Sequence, residues 1–262
     1  MTAIIVAGRV ATFVFLLGST LAILFFIYRA KKGKLPSFRK IAGLDAIQEA
    51  VGRATEMGRP VHFTTGMGFL VHAEGPQTVA GMAVLGHLAR LTARMKARLI
   101  ITIMNPETIP MTEAVVEAAY KAEGKEEDYK PTEMILFLSS SQQAYVSGAI
   151  GVMHREKIAA NIMIGPFFAE TLQLIEAAAY IGAIQVGGTA RTMNLAFMAA
   201  ACDYTLLGEE IFAAGAYISQ DPVLLGSLVG QDLFKYLAVI LVVLGSILVN
   251  LGSPILRSLL RT

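Results

Sequence analysis

Two long apolar stretches frame the chain, and between them the hydrophobic pattern alternates between the period of a strand and that of a helix. From Val10 to Tyr28 and from Tyr236 to Leu256 no residue carries a charge. At about 1.5 Å per helical residue, each stretch can cross the roughly 30 Å hydrocarbon core of a bilayer. The second reads LAVILVVL from Leu237 to Leu244, with no polar side to turn towards water, so it is not an amphipathic core helix. The first is unlike a signal peptide, because its basic cluster follows the apolar run: Arg29, Lys31, Lys32, Lys34, Arg39 and Lys40. Two transmembrane helices are expected.

Between them, Asp45 with Gln48 three residues on forms a capping-box pattern. It predicts a helix to Gly58 with Leu44, Ile47, Val51 and Ala54 on one face. Val61 to Thr65 reads as a strand, Gln77 to Met95 as a helix, and Arg98 to Met104 as a buried strand rich in β-branched residues. Pro110 opens a helix where its missing N–H costs nothing. Met134 to Leu138 and Ile158 to Ile164 are strands, each followed by a helix, Ser141 to Glu156 and Phe167 to Ile181, the latter closed by Gly182. Ala183 to Val186 and Asp203 to Leu206 complete the strands, with helical segments from Thr192 and Glu209. Continuous apolar strands alternating with helices predict an α/β fold: a Rossmann-like, mostly parallel sheet with helices on both faces, flanked by an N-terminal and a C-terminal transmembrane helix. The expected boundaries are an anchor at 1–30, a basic juxtamembrane segment at 31–43, the α/β domain at 44–232, and the second transmembrane helix with a short tail at 233–262. Thr64 to His72 allows two readings, a strand followed by a loop or a small hairpin turned at Gly66 and Met67.

Charge orients this arrangement. Seven Lys and Arg residues flank the spans on the side of the central domain, the six named above and Lys235; only Arg9, Arg257 and Arg261 flank the other side. The positive-inside rule therefore places the α/β domain in the cytoplasm and both termini across the cell (inner) membrane. All twenty acidic residues lie between Asp45 and Asp232 with twelve basic ones, a net of −8 for that region. Such a domain is not a nucleic-acid reader; the basic collar suits anionic lipid headgroups, or is a plain stop-transfer flank. The high hydrophobic share, 55%, and mean hydropathy of +0.58 agree with a lipid-embedded part. Cys202 stands alone, which excludes an internal disulfide.

Candidate chemistry gathers where a parallel sheet presents it, at the carboxyl ends of the strands, where helix N-termini favour anions. Ser139, Ser140 and Ser141, and Gly187, Gly188, Thr189 and Arg191, are the ligand-binding candidates. Small or hydroxyl-bearing residues let a backbone approach a phosphate or carboxylate, and Arg191 adds a guanidinium. Ser, Thr and Gly are equally what ordinary caps and turns use. Gly66-Met67-Gly68 starts like a dinucleotide fingerprint, but Val71 stands three residues on, and no GKS or GKT occurs. No cofactor is specified. His62, His72, His87 and His154 lack metal-ligand spacing. The adjacent Glu209 and Glu210 suit a helix start, and Cys202 reads as a core residue, so neither a catalytic nor a metal site is assigned. Alanine-rich segments such as Ala177 to Ala179 and Ala199 to Ala201 call for close packing, and Gly245, Ser246 and Asn250 offer small or polar positions for packing the second span against copies of itself.

The run Asn161-Ile162-Met163-Ile164-Gly165-Pro166-Phe167-Phe168, continued by Gln185 to Thr189, Cys202 to Thr205 and Gly208 to Glu210, resembles a family of prokaryotic membrane proteins catalogued as a domain of unknown function. The resemblance implies a Rossmann-like domain and no activity. The residues themselves favour a self-associating membrane scaffold or ligand-sensing component, whose partners are the lipid bilayer, copies of the chain and further membrane subunits. The alternative is a membrane-tethered enzyme or nucleotide- or anion-binding protein using the strand-end loops.

Overall fold

The computed structural model describes residues 10–33, 41–219 and 221–250. In chain order the elements are α1 (Val10–Lys31), α2 (Ala42–Met57), β1 (Val61–Thr64), α3 (Gly75–Met95), β2 (Leu99–Ile103), α4 (Ile109–Ala122), a single turn α5 (Pro131–Met134), β3 (Ile135–Phe137) and α6 (Gln142–Glu156). They continue as β4 (Ala160–Ile164), α7 (Glu170–Ile181), β5 (Ile184–Thr189), α8 (Thr192–Ala201), β6 (Tyr204–Leu207), α9 (Glu210–Ser219) and α10 (Pro222–Asn250). The chain divides into two compact units, Arg39–Ile218 and the two chain ends.

In the larger unit all six strands are parallel, in the order β3-β2-β1-β4-β5-β6. This is the strand order of the doubly wound Rossmann arrangement, and its direction of winding reverses between β1 and β4. Successive side chains of a strand point to opposite faces, and the buried strands use both. Val61, Phe63, Leu99, Ile101, Ile162 and Val186 meet Ile47, Val51, Leu85, Leu88 and Val116 of α2, α3 and α4. On the other face Met163 packs with Tyr145, Ala149, Met153, Leu174 and Met198 of α6, α7 and α8. Helices therefore cover both faces, as continuous apolar strands require.

Local detail departs from the sequence pattern in instructive places. The capping box is not used: α2 begins at Ala42 after Ile41, and Asp45 lies in the first turn, where the helix dipole favours a carboxylate. Residues 61–72 take the strand-and-loop form, with His62 buried and His72 exposed. Strand β5 runs on to Thr189, so Gly187 and Gly188 are strand residues.

The smaller unit is an antiparallel pair of helices. Thr12–Lys31 and Pro222–Ile247 are long and apolar enough to cross a membrane. A Cβ added at Gly226 would lie 2.6 Å from Ile27 Cα, and one at Gly230 would lie 2.8 Å from Ile23 Cα. Gly226 and Gly230 thus form a GxxxG surface that brings the two backbones together, the small-residue device of membrane helix pairs. Phe15 and Phe234 meet edge to face further along, with ring centroids 5.4 Å apart. The boundary expected between residues 232 and 233 falls inside α10, which starts at Pro222; the compact units divide at Ser219. The basic positions Lys34, Arg39, Lys40, Arg9, Arg257 and Arg261 lie outside the described residues.

Candidate functional site

The crevice where the strand order reverses is the place a doubly wound sheet offers a ligand. Here it is filled. The loop after β4 folds over the end of β1, Met67 N–H donates to the Pro166 carbonyl at 3.2 Å, and Phe167 is fully buried beside Met67. Gly66, with φ near +65°, has no room for a side chain: its Cβ would lie 2.8 Å from both the Phe167 ring and the Pro166 oxygen. The covering loop is itself held fast. The buried Glu170 carboxylate accepts from Phe168 N–H at 3.0 Å and from Gln142 Nε2 at 2.6 Å, and Asn194 Nδ2 donates to the Phe168 carbonyl at 2.6 Å.

Under this plug runs a chain of buried polar side chains from four elements. His62 Nδ1 lies 2.8 Å from Asn161 Oδ1, and His62 Nε2 lies 2.9 Å from Thr102 Oγ1. Thr102 Oγ1 is 3.1 Å from the Tyr145 hydroxyl, which is 2.5 Å from Thr64 Oγ1, and Gly66 N–H donates to Thr64 at 2.9 Å. With the Asn161 amide oxygen facing the ring, the protons of the row follow in order. Asn161 Oδ1 only accepts, so His62 Nδ1–H donates to it, and a neutral imidazole then accepts at Nε2 from Thr102. Thr102 accepts from Tyr145, and Tyr145 accepts from Thr64. Protonating His62 would force Thr102 to turn its hydroxyl round and reverse the row. Burial lowers the His62 pKa to about 4, against the smaller raising effect of Asn161, and burial pushes the Tyr145 phenol up to about 12. Both groups are neutral at ordinary pH. The row crosses the sheet under α6 and ties β1, β2 and β4 to that helix, with Asn161 Nδ2 buried and without a hydrogen-bond partner among the described residues. Sequence reasoning missed it, although polar residues inside apolar strands, such as His62, Thr102 and Asn161, were its signal.

The predicted ligand residues sit on either side of the plug. Ser139, Ser140 and Ser141 follow β3 at the sheet edge, and Ser139 Oγ accepts from Ser141 N–H at 3.1 Å. Ser140 lines a cleft of about 250 Å³ with Met67, Phe69, Met104, Asn105 and Glu107, and with the exposed His72 at its mouth. That volume falls below the usual range for ligand pockets and is too small for a dinucleotide. Gly187, Gly188, Thr189 and Arg191 belong to β5 and its exit, four places across the sheet from β3, or roughly 19 Å at about 4.8 Å per strand. The two groups do not converge on one small ligand. Gly187 and Gly188 face the interior: a Cβ at Gly187 would lie 2.6 Å from Cys202 Sγ, and one at Gly188 would lie 2.8 Å from Ile164 Cδ1. Cys202 is the packed residue expected, its thiol pushed up to about 12 by burial and by Asp203. Thr189 Oγ1 lies 3.4 Å from Gln77 Oε1, to which it donates. Arg191 pairs with Glu74 at 2.5 Å, its guanidinium stacked 3.7 Å over the Phe168 ring. Arg191 Nε is buried without a partner among the described residues.

At the opposite rim, an open cleft of about 870 Å³ is lined by Lys96, Arg98 and Lys130 together with Glu126, Glu127 and Asp128. Its mixed charge favours neither cations nor anions. Among the described residues no three His, Cys, Asp or Glu side chains converge as a metal site.

Fold and rim together define a doubly wound α/β domain joined in one chain to a pair of span-length helices, with the customary ligand crevice sealed by its own side chains. The chain belongs to the family described as Domain of unknown function (DUF6754), whose model matches residues 2–260. No curated protein and no solved structure matches it.

Proposed function

We propose that this protein is a membrane-anchored, self-associating scaffold or ligand-sensing component of a membrane complex, acting beside the lipid bilayer, copies of itself and further subunits. The observation that carries the reading is the sealed crevice: Phe167 and Met67 occupy the position where a doubly wound enzyme holds its cofactor. The charge asymmetry, Arg29, Lys31, Lys32, Lys34, Arg39 and Lys40 against Arg9, Arg257 and Arg261, supports an inner-membrane location with the α/β domain in the cytoplasm and both termini outside. Mass measurement of the full chain in lipid nanodiscs checks the proposal. Species larger than one chain are expected, and a strictly monomeric protein at all concentrations would remove the scaffold reading.

One observation favours a second reading, a nucleotide- or anion-binding protein: the buried, unpartnered Nε of Arg191, whose guanidinium is held by Glu74 at the start of α3. That reading predicts that millimolar inorganic phosphate or ATP raises the melting temperature and that Arg191→Ala abolishes the rise.

A further inference from the structure

The packed register of α1 and α10 sets their relative depth. Gly230 lies against Ile23 and Gly226 against Ile27, so the uncharged run of α1 to Tyr28 draws α10 from Leu225 onwards into the bilayer beside it. Asp232 and Lys235 then lie level with the middle of the first span. They form an ion pair at 2.9 Å, and both side chains are about half exposed. At about 100° per residue, they project to the side of α10 opposite Gly226 and Gly230, away from α1. The same side continues through Val239, Val242 and Ser246, all exposed, to Asn250. From Asp232 to Ser246 the spacing is three, four, three, four, the repeat with which two helices pack along a seam. Gly245, by contrast, is buried and lies on another side of the helix.

We infer that this face of α10, from Asp232 to Asn250, is the surface through which two copies of the chain associate in the membrane. The inference rests on the self-association proposed above and names its interface. Lipid solvates an ion pair poorly, whereas a second copy brings the same groups to the same depth; the Asn250 amide already donates to the Ser246 carbonyl at 3.0 Å within its own helix. A two-fold axis along the membrane normal matches each polar position with its own copy. Lys235 then has two carboxylates within the span of its long stem, its own and its neighbour's, and the small Val and Ser positions between the polar ends let the helices close.

Cysteine scanning of the full chain in liposomes, in a Cys202→Ala background, tests this. Val239→Cys, Val242→Cys and Ser246→Cys are expected to give disulfide-linked dimers on oxidation, while Leu237→Cys and Leu241→Cys, turned towards α1, give at least tenfold less. An Asp232→Ala/Lys235→Ala double variant is expected to weaken association at least tenfold by energy transfer between labelled copies. Cross-linking strongest at 237 and 241, or equal at all five positions, overturns the seam while leaving self-association standing. So does unchanged association of the double variant. No energy transfer between wild-type copies overturns the seam and the scaffold together.

Discussion

His62 shows how one residue ties stability to pH. Its imidazole is neutral in the fold, with a pKa near 4, and titrates near 6.5 in the unfolded chain. The folded value is the depressed one, so the unfolded state takes up the proton first as pH falls. Stability is full above about 6.5 and is lost progressively down to about 4, in total by about 3 kcal/mol. Urea unfolding of the full chain between pH 7.5 and 4 is expected to show this loss, and His62→Asn to flatten most of it; an equal slope in the variant would assign the loss to other groups. The other side chains of this row do not titrate in this range, since Thr64, Thr102 and Asn161 carry no ionisable group and Tyr145 is held near 12. These residues were visible in the sequence as polar letters in apolar strands. Their partnership was not, because His62 and Asn161 are brought together only by strand pairing.

Among the elements, the helix pair carries the clearest consequence of close approach. A side chain at Gly226 has nowhere to go, with the backbone of Ile27 and the Phe26 carbonyl within 3 Å of its first carbon. Gly226→Ile is therefore expected to force α1 and α10 apart. Cysteines placed at Phe15 and Phe234, whose rings now touch, should cross-link efficiently with a short reagent in the otherwise unaltered chain and poorly when Gly226→Ile is added. Retained cross-linking would show that another contact sets the register. The GxxxG spacing was legible in the sequence but passed over, because Gly226 and Gly230 precede the most apolar part of the span. Its effect is to set Asp232 and Lys235 level with the middle of α1; for a pair of helices in a bilayer, each charge there would cost about 2.5 to 3.5 kcal/mol unless paired or covered.

For the whole molecule, the division into two compact units predicts that the α/β unit folds without the spans. Its two cores lie between sheet and helices of the same unit. Residues 41–218 expressed alone are expected to give one cooperative unfolding transition with near-ultraviolet dichroism intact. A broad, non-cooperative melt would show that the spans complete the core.

Hydrophobic period and length, both local properties of the chain, determined the two span-length apolar helices, the α/β class, the alternation of its elements and the small, turn-forming residues at the strand ends. Strand order, the burial of Gly187 and Gly188 inside β5, the Phe167 plug, the row from Asn161 to Thr64 and the place of Asp232 along α1 were decided only in three dimensions. The physical reason is that each depends on which distant segments become neighbours. A glycine before a helix reads the same whether it faces a phosphate or the sulfur of Cys202, and a charge at the edge of an apolar run reads as a flank until another helix packs beside it.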